Sequence, residues 1–473
     1  MKARKRELFF LFTVLFIPLF VGQGGFSNSI TLEDAAKMAL ANNEQVLSVQ
    51  ASLEIARLSL KRAQKLFATP YINLNFDPWQ GKYDIERETY QRPSEFMISG
   101  TIKFSQGTDI GLNYRGAYDY EEGGYDDFYT LELHQSLFQD QSLTPSALEL
   151  YNARMATARA YLALEDIEKE IILSTVRNFY QLREIDNSLS LTRERIALSQ
   201  EELAETTEKK DSGLAGELDM LKAKIELAEN TEQLNELENQ LALAKDQFYH
   251  SIGVEKDTLL ILSLPQEKKV REKAEELLVK EISQEIVLSQ SELKQAQWTI
   301  DEKRLQLSRK EEELSSDWLL TVGYTSERAT LDGITPAQGQ IKIGATYNLF
   351  DGGRAKLSVQ AAQMELAKAE RNLENLRKTA QFGLSSQKNA LREALSQFNL
   401  WKLKKDEIKL KGELAQEQFT LGIISSQELK EFQLQAVQVE NSCQLALHNF
   451  LTSYFSYRLS LGMNIDFDEV IGK

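Results

Sequence analysis

Few residues of this 473-residue chain have the types and spacing that chemistry needs. The clearest pair is Glu428 and Glu431 in LGIISSQELKEFQ; three apart, the two carboxylates fall on one helix face, where they repel each other or bind a cation. Two glutamates at that spacing are equally consistent with a solvated helix face. The three histidines, His134, His250 and His448, are scattered, and none sits in a Cys, Asp or Glu cluster at metal-ligand spacing. Neither a GxxxxGK phosphate loop nor a GxSxG nucleophile elbow occurs. The chain therefore reads as no enzyme, with no cofactor and no metal site, drawing its energy from partners.

The elements that must position those glutamates are long helices. Ala362, Leu366, Ala369, Leu373, Leu376 and Ala380 alternate spacings of four and three, as do Leu234, Leu237, Leu241, Ala244 and Phe248, and charged residues flank both rows. These are coiled-coil seams. None of the seven prolines falls within 31–68, 146–252, 272–314 or 353–462, which supports helix there, because proline inside a helix costs about 3 kcal/mol.

Between the helices the period changes to two, at 71–77, 95–104, 109–118, 128–138, 317–325 and 340–349. In FYTLELHQSLF the apolar set Tyr129, Leu131, Leu133 and Leu137 is opposed by Thr130, Glu132, His134 and Ser136. A strand of about 10 residues tilted by about 40° covers roughly 25 Å, the height of a lipid-facing barrel band. Alternation alone fits a sheet packed on a soluble core equally well.

At the start of the chain, Lys2, Arg4, Lys5 and Arg6 precede the apolar run Leu8 to Val21 and the small residues Gly22 to Gly25. This order predicts a secretory signal peptide over 1–25, since about 14 apolar residues fall short of the roughly 20 that a spanning anchor needs. No other apolar run reaches spanning length, so strands are the only route into a membrane. The single cysteine, Cys443, excludes an intrachain disulfide, and no cysteine follows the leader to carry a lipid. Cleavage removes four positive charges and one negative, taking the formal charge from −16 to about −19, which argues against nucleic acid as a partner.

The chain also repeats itself at an offset of 209 residues: QLREIDNSLSL at 181–191 lies over ALREALSQFNL at 390–400, Gly213 over Gly422, and SIG at 251–253 over SLG at 460–462. Two repeats follow, 26–264 and 265–473. The first holds an opening helix, strands within 71–138, a long helix 146–212 and a helix 214–252; the second holds helix 272–314, strands within 317–349, a long helix 354–421 and helix 424–462. The longest would reach about 100 Å.

This ordered set, with LFDGGR at the strand-to-helix junction and a glycine at each hairpin tip, resembles the TolC family of outer-membrane efflux proteins over nearly the whole mature chain. The resemblance implies a mostly α chain with transmembrane β: a homotrimeric outer-membrane β-barrel continued by a long periplasmic α-helical barrel. Its implied function is the exit duct of a tripartite efflux or type I secretion system, working with a periplasmic adaptor, an inner-membrane transporter and outer-membrane lipid.

Residue by residue, the resemblance implies that Glu428 and Glu431 form the constricting ring at the periplasmic entrance, with Asp219 standing in the first repeat where Glu428 stands in the second. It also implies that the tips Gly213, Leu214, Gly422 and Ile423 meet the adaptor, although Leu214 and Ile423 could equally pack on their own hairpins. Asp351, Gly352 and Gly353 turn the chain from barrel to helix. Four strands per chain would be usual, yet this sequence has six alternating segments, and the hairpin 95–118 fits either extended barrel strands or an elaborated outer loop. The first-half junction LFQDQSLTP lacks the double glycine. A secreted coiled-coil scaffold with a small soluble sheet is the competing class; it accounts for the heptads and acidity but not for the two-fold order.

Overall fold

Two helices of 67 residues set the length of the molecule, α3 (Pro145–Asp211) and α8 (Arg354–Thr420), each about 100 Å long. They are seen in a computed structural model that describes residues 32–463 apart from 79–81, 85–88, 92, 120–122, 138–139, 141–143, 255–266, 315–316, 330–332, 335–336 and 348–349. The expected leader at 1–25, the repeat boundary at 264/265, Asn348 and Leu349, and most of the 138–143 junction lie outside the described residues.

Each long helix folds back on a shorter one, α3 on α4 (Glu217–Ile252) and α8 on α9 (Ser426–Ser460). The seams read from the sequence are the packed ones: Leu241 and Ala244 lie on the main core, and Leu373, Leu376 and Ala380 lie on a second cluster around Leu384. The repeat is visible in burial. Leu182 and Leu391, Leu189 and Phe398, and Phe248 and Tyr457 stand 209 residues apart and are buried in both halves. Stacked Phe398 and Phe450, with centroids 5.7 Å apart, anchor the second hairpin, each burial contributing about 2–3 kcal/mol.

The shorter helical stretches differ from expectation. Where one helix is predicted over 31–68, the chain forms α1 (Leu32–Asn42) and α2 (Glu44–Gln64), broken at Asn43, whose extended backbone lets its side chain accept a hydrogen bond from the Gln45 N–H at 2.9 Å. Where one is predicted over 272–314, three form: α5 (Glu267–Val279), α6 (Gln284–Leu288) and α7 (Ser291–Glu312). Ser283 caps α6, and Gln290 takes an extended backbone ahead of α7. Short polar side chains that bond nearby backbone offer the chain an alternative to continuing the helix.

The strands are β1 (Tyr71–Asp77), β2 (Lys82–Asp84), β3 (Thr89–Gln91), β4 (Pro93–Lys103), β5 (Thr108–Asp119), β6 (Tyr125–Leu137), β7 (Asp317–Ala329), β8 (Gly333–Ile334) and β9 (Gln338–Thr346). Six long ones form a single antiparallel sheet in the order β1, β4, β5, β6, β7, β9; β8 pairs only with the end of β7, and β2 with β3 make a separate small hairpin. The sheet thus joins strands of both repeats through β6 and β7, from Asp126 opposite Ala329 to Leu137 opposite Trp318. The β4–β5 hairpin lies within the sheet, between β1 and β6.

Candidate functional site

The registers sort the sheet into two faces. Following paired residues across it, Asn73, Ser99, Asn113, Thr130, Thr325 and Gln338 share one face, and Thr101, Glu132, Gln340 and Lys342 continue it. The opposite face carries Ile72, Leu74, Ile98, Leu112, Leu131, Tyr324, Val322 and Ile341. On the polar face Arg115 pairs with Glu95, and His134 lies 3.3 Å from the Thr321 hydroxyl and 3.2 Å from Glu132. Among the described residues the apolar face has no cover. No helix packs over it among the described residues, and Leu74 and Ile341 are 63% and 77% exposed.

At the strand-to-helix junction, Asp351 terminates the sheet side and starts α8. One carboxylate oxygen accepts from the Gly353 N–H at 2.7 Å and the other from the Ala355 N–H at 2.6 Å, and these bonds hold its pKa below the usual carboxylate value. Gly352 and Gly353 both have positive φ, 69° and 82°, the region in which glycine carries no Cβ penalty. The double glycine legible in LFDGGR is therefore a conformational requirement of this turn.

The far ends of the two hairpins are built alike. After α3, the Leu214 N–H donates to the Lys209 carbonyl at 2.7 Å and the Gly213 N–H to Lys210 at 2.9 Å; after α8, Ile423 donates to Gln418 at 2.9 Å and Gly422 to Phe419 at 2.9 Å. This paired pattern, with Gly213 at φ 74° and Gly422 at φ 69°, is the Schellman ending. Such endings usually pack the residue after the glycine against one in the last turn. Here those partners are Lys209 and Gln418, and Leu214 and Ile423 stay 81% and 66% exposed. The apolar tips project into solvent instead of packing on their own hairpins.

Asp219 and Glu428 occupy equivalent cap positions in the helices that follow. The Gly216 N–H donates to the Asp219 carboxylate at 3.0 Å. At the second tip the Ser425 N–H and Oγ both donate to one Glu428 oxygen, at 2.7 and 3.0 Å, while the Glu428 N–H returns a bond to Ser425 Oγ at 3.2 Å. This capping box lowers the Glu428 pKa. The motif S-x-x-E was present in the sequence as a capping signal.

Glu431 is placed differently. It lines a cleft of about 300 Å³ between α3, α4 and α9, with Glu202 and Glu226. Lys430 pairs with Glu201 at its edge, and the Asn230 amide donates to Ser199 at 2.8 Å within it. Burial first, then the charges of Glu226, Glu431 and Glu205, push the Glu202 pKa up. Glu201, Glu202, Glu226 and Arg195 carried no sequence signal that separates them from a solvated helix face. Among the described residues no group of three His, Cys, Asp or Glu is placed to hold a metal ion, and no helix is long and apolar enough to cross a membrane.

No protein-family model and no curated protein sequence matches the chain. Solved structures do. The CmeC outer membrane channel of Campylobacter jejuni aligns over 91% of this chain and 85% of its own, at 15% identity and a TM-score of 0.64. The outer membrane protein VceC of Vibrio cholerae aligns over 92% and 97%, at 11% identity and 0.63. The open state of the Neisseria gonorrhoeae MtrE outer membrane channel aligns over 91% and 89%, at 11% identity and 0.60. This chain has the fold of these channels, a sheet continued end-on by long helical hairpins.

Proposed function

We propose that the chain is one of three subunits of an outer-membrane exit duct of the TolC kind, which conducts substrates from an inner-membrane pump and a periplasmic adaptor to the exterior. The observation that carries this reading is the two-faced sheet: its apolar face is uncovered by any described residue, and its polar face is rich in Asn, Thr, Gln and charged residues. In water an apolar face of that extent is costly to leave bare; in a bilayer it is the face that lipid covers, and the polar face lines a conduit. A soluble scaffold would need a second layer over the same face.

In this reading residues 1–25 direct export and are removed, and the repeats 26–264 and 265–473 each contribute strands to the barrel and a hairpin to the periplasmic tunnel. Asp351, Gly352 and Gly353 mark the level where lipid gives way to water. Gly213, Leu214, Gly422 and Ile423 form the adaptor-facing tips, consistent with their exposed apolar side chains. Glu428, Glu431 and Asp219 surround the narrow end. The duct gates and conducts, and performs no covalent step on its cargo.

Purification in mild detergent tests this directly. The protein mass should be about 150 kDa, three copies of the 53.9 kDa chain less their leaders, and the trimer should conduct ions in a planar bilayer. A monomer, or a protein that partitions with the aqueous phase without detergent, overturns the reading.

A further inference from the structure

We propose that the membrane barrel has six strands per chain and closes by pairing β1 of one copy with β9 of the next, so that three copies build about eighteen strands around a wide aqueous conduit. This rests on the trimeric duct proposed above.

The first observation is the height of the β4–β5 hairpin. Its strands pair along nearly their whole length, Pro93 to Lys103 against Asp119 to Asp109, and β5 continues against β6 from Thr108 opposite Gln135 to Tyr118 opposite Tyr125. The turn between them lies at the helical end of the sheet. There the Ala68 N–H donates to the Lys103 carbonyl at 2.7 Å, and the Ser136 N–H donates to the Gly107 carbonyl at 3.3 Å. Gly107 lies beside Thr144, which caps α3. A hairpin that runs from the outer end to the helix junction is two full staves of the wall.

The faces agree. Ile98 and Ile102 on β4 and Ile110 and Leu112 on β5 continue the apolar band of Leu131 and Val322, while Ser99, Thr101 and Asn113 continue the polar face. An outer loop in water would need no such band.

The two edges of the sheet identify the occupant. β1 and β9 are the terminal strands, and with six strands alternating in direction they run antiparallel to each other. Their apolar residues are the most exposed of the sheet, Ile72 at 69% and Ile341 at 77% against 54% for Leu112 and 39% for Val322 inside it. A hydrocarbon layer leaves no backbone donor unpaired, so the edges must meet one another, and six strands are too few to close alone. A second copy of this chain supplies the complementary edge.

The test uses the full-length trimer in detergent, in a Cys443→Ala background. Asn73→Cys on β1 is combined in turn with Gln340→Cys, Lys342→Cys and Gly344→Cys on β9, all on the polar face, and each protein is oxidised; the same trimer is imaged to count strands. Disulfide-linked dimers and trimers that require both cysteines, together with about eighteen staves in the density, are the expected result. A trimer with about twelve staves, or one in which no β1–β9 pair cross-links, overturns this inference and leaves the duct standing. A protein that is not a trimer overturns both.

Discussion

The His448 imidazole of α9 stacks on the Tyr180 ring of α3, with centroids 4.7 Å apart and planes 25° from parallel, so that a histidine with neither ring nitrogen bonded among the described residues joins the two repeats. His448 is 4% exposed, and burial, reinforced by the Arg183 guanidinium, pushes its pKa down to about 4. The site favours the neutral ring.

The stability that follows depends on pH with a defined sign. Above the unfolded value of 6.5 both states are neutral and the packing is intact; as pH falls toward about 4, the unfolded chain takes up a proton that the native chain refuses. About 3 kcal/mol per chain should be lost across that window. Replacing His448→Phe keeps the stack and should flatten the pH dependence of thermal unfolding between pH 7 and about pH 4.5. An unchanged profile would place the titration elsewhere.

Two glycines of the same backbone type should respond unequally to alanine. Gly422 has φ 69° and open space where a Cβ would stand, so Gly422→Ala meets only the left-handed backbone penalty, about 1–2 kcal/mol. At Gly253, φ 67°, a Cβ would clash with the Asn42 Cβ, and the Asn42 amide, which donates to the Ile252 carbonyl at 3.3 Å, would have to shift. Gly253→Ala should therefore lower the melting temperature more than Gly422→Ala does; the reverse order would mean that the α1–α4 contact contributes little.

Charge at the proposed entrance can be removed without removing the cap. Glutamine at position 428 preserves the capping box with Ser425, so Glu428→Gln combined with Glu431→Gln isolates the carboxylates from the helix start. Divalent cations added from the periplasmic side should block conductance of the parent and block the double variant at least tenfold more weakly. Because its cap bonds keep the Glu428 carboxylate ionised below the usual range, block of the parent should persist to lower pH than for an unperturbed glutamate.

Leu214→Asp with Ile423→Asp should abolish capture of the cognate adaptor while leaving the trimer intact, since both side chains point into solvent. Each removed apolar contact corresponds to about 1.5–3 kcal/mol, or roughly tenfold or more in affinity. Co-purification with unchanged yield would remove the tips from the interface.

Much of this architecture is legible in the residues. The six period-2 segments and the two 67-residue helices follow from alternation and heptads that span many residues, and LFDGGR announces a turn whose φ values are positive at both glycines. Breaks at Asn43 and Ser283 were not, because one short side chain diverting one or two backbone bonds leaves no periodic trace. Sheet order is also non-local: alternation at 95–118 is the same whether or not the hairpin joins the main sheet, and only the pairing of β4 with β1 and of β5 with β6 shows that it does. The acidic cleft joins Glu202, Glu226 and Glu431 from three helices, a meeting that helix-face charge patterns do not encode.

In the proposed duct one face of the sheet meets lipid and the other meets water, and a cysteine scan along β6 measures it. Leu131, Glu132, Leu133 and His134 are replaced singly by cysteine in a Cys443→Ala background, and the trimers in bilayers are exposed to a membrane-impermeant maleimide and, once labelled with a fluorophore, to a quencher dissolved in lipid. Positions 132 and 134 should react with the maleimide and resist the lipid quencher, and positions 131 and 133 should do the opposite, because neighbouring side chains of a membrane strand point to opposite sides. Water reactivity at all four positions, with no lipid quenching at any, would contradict the account.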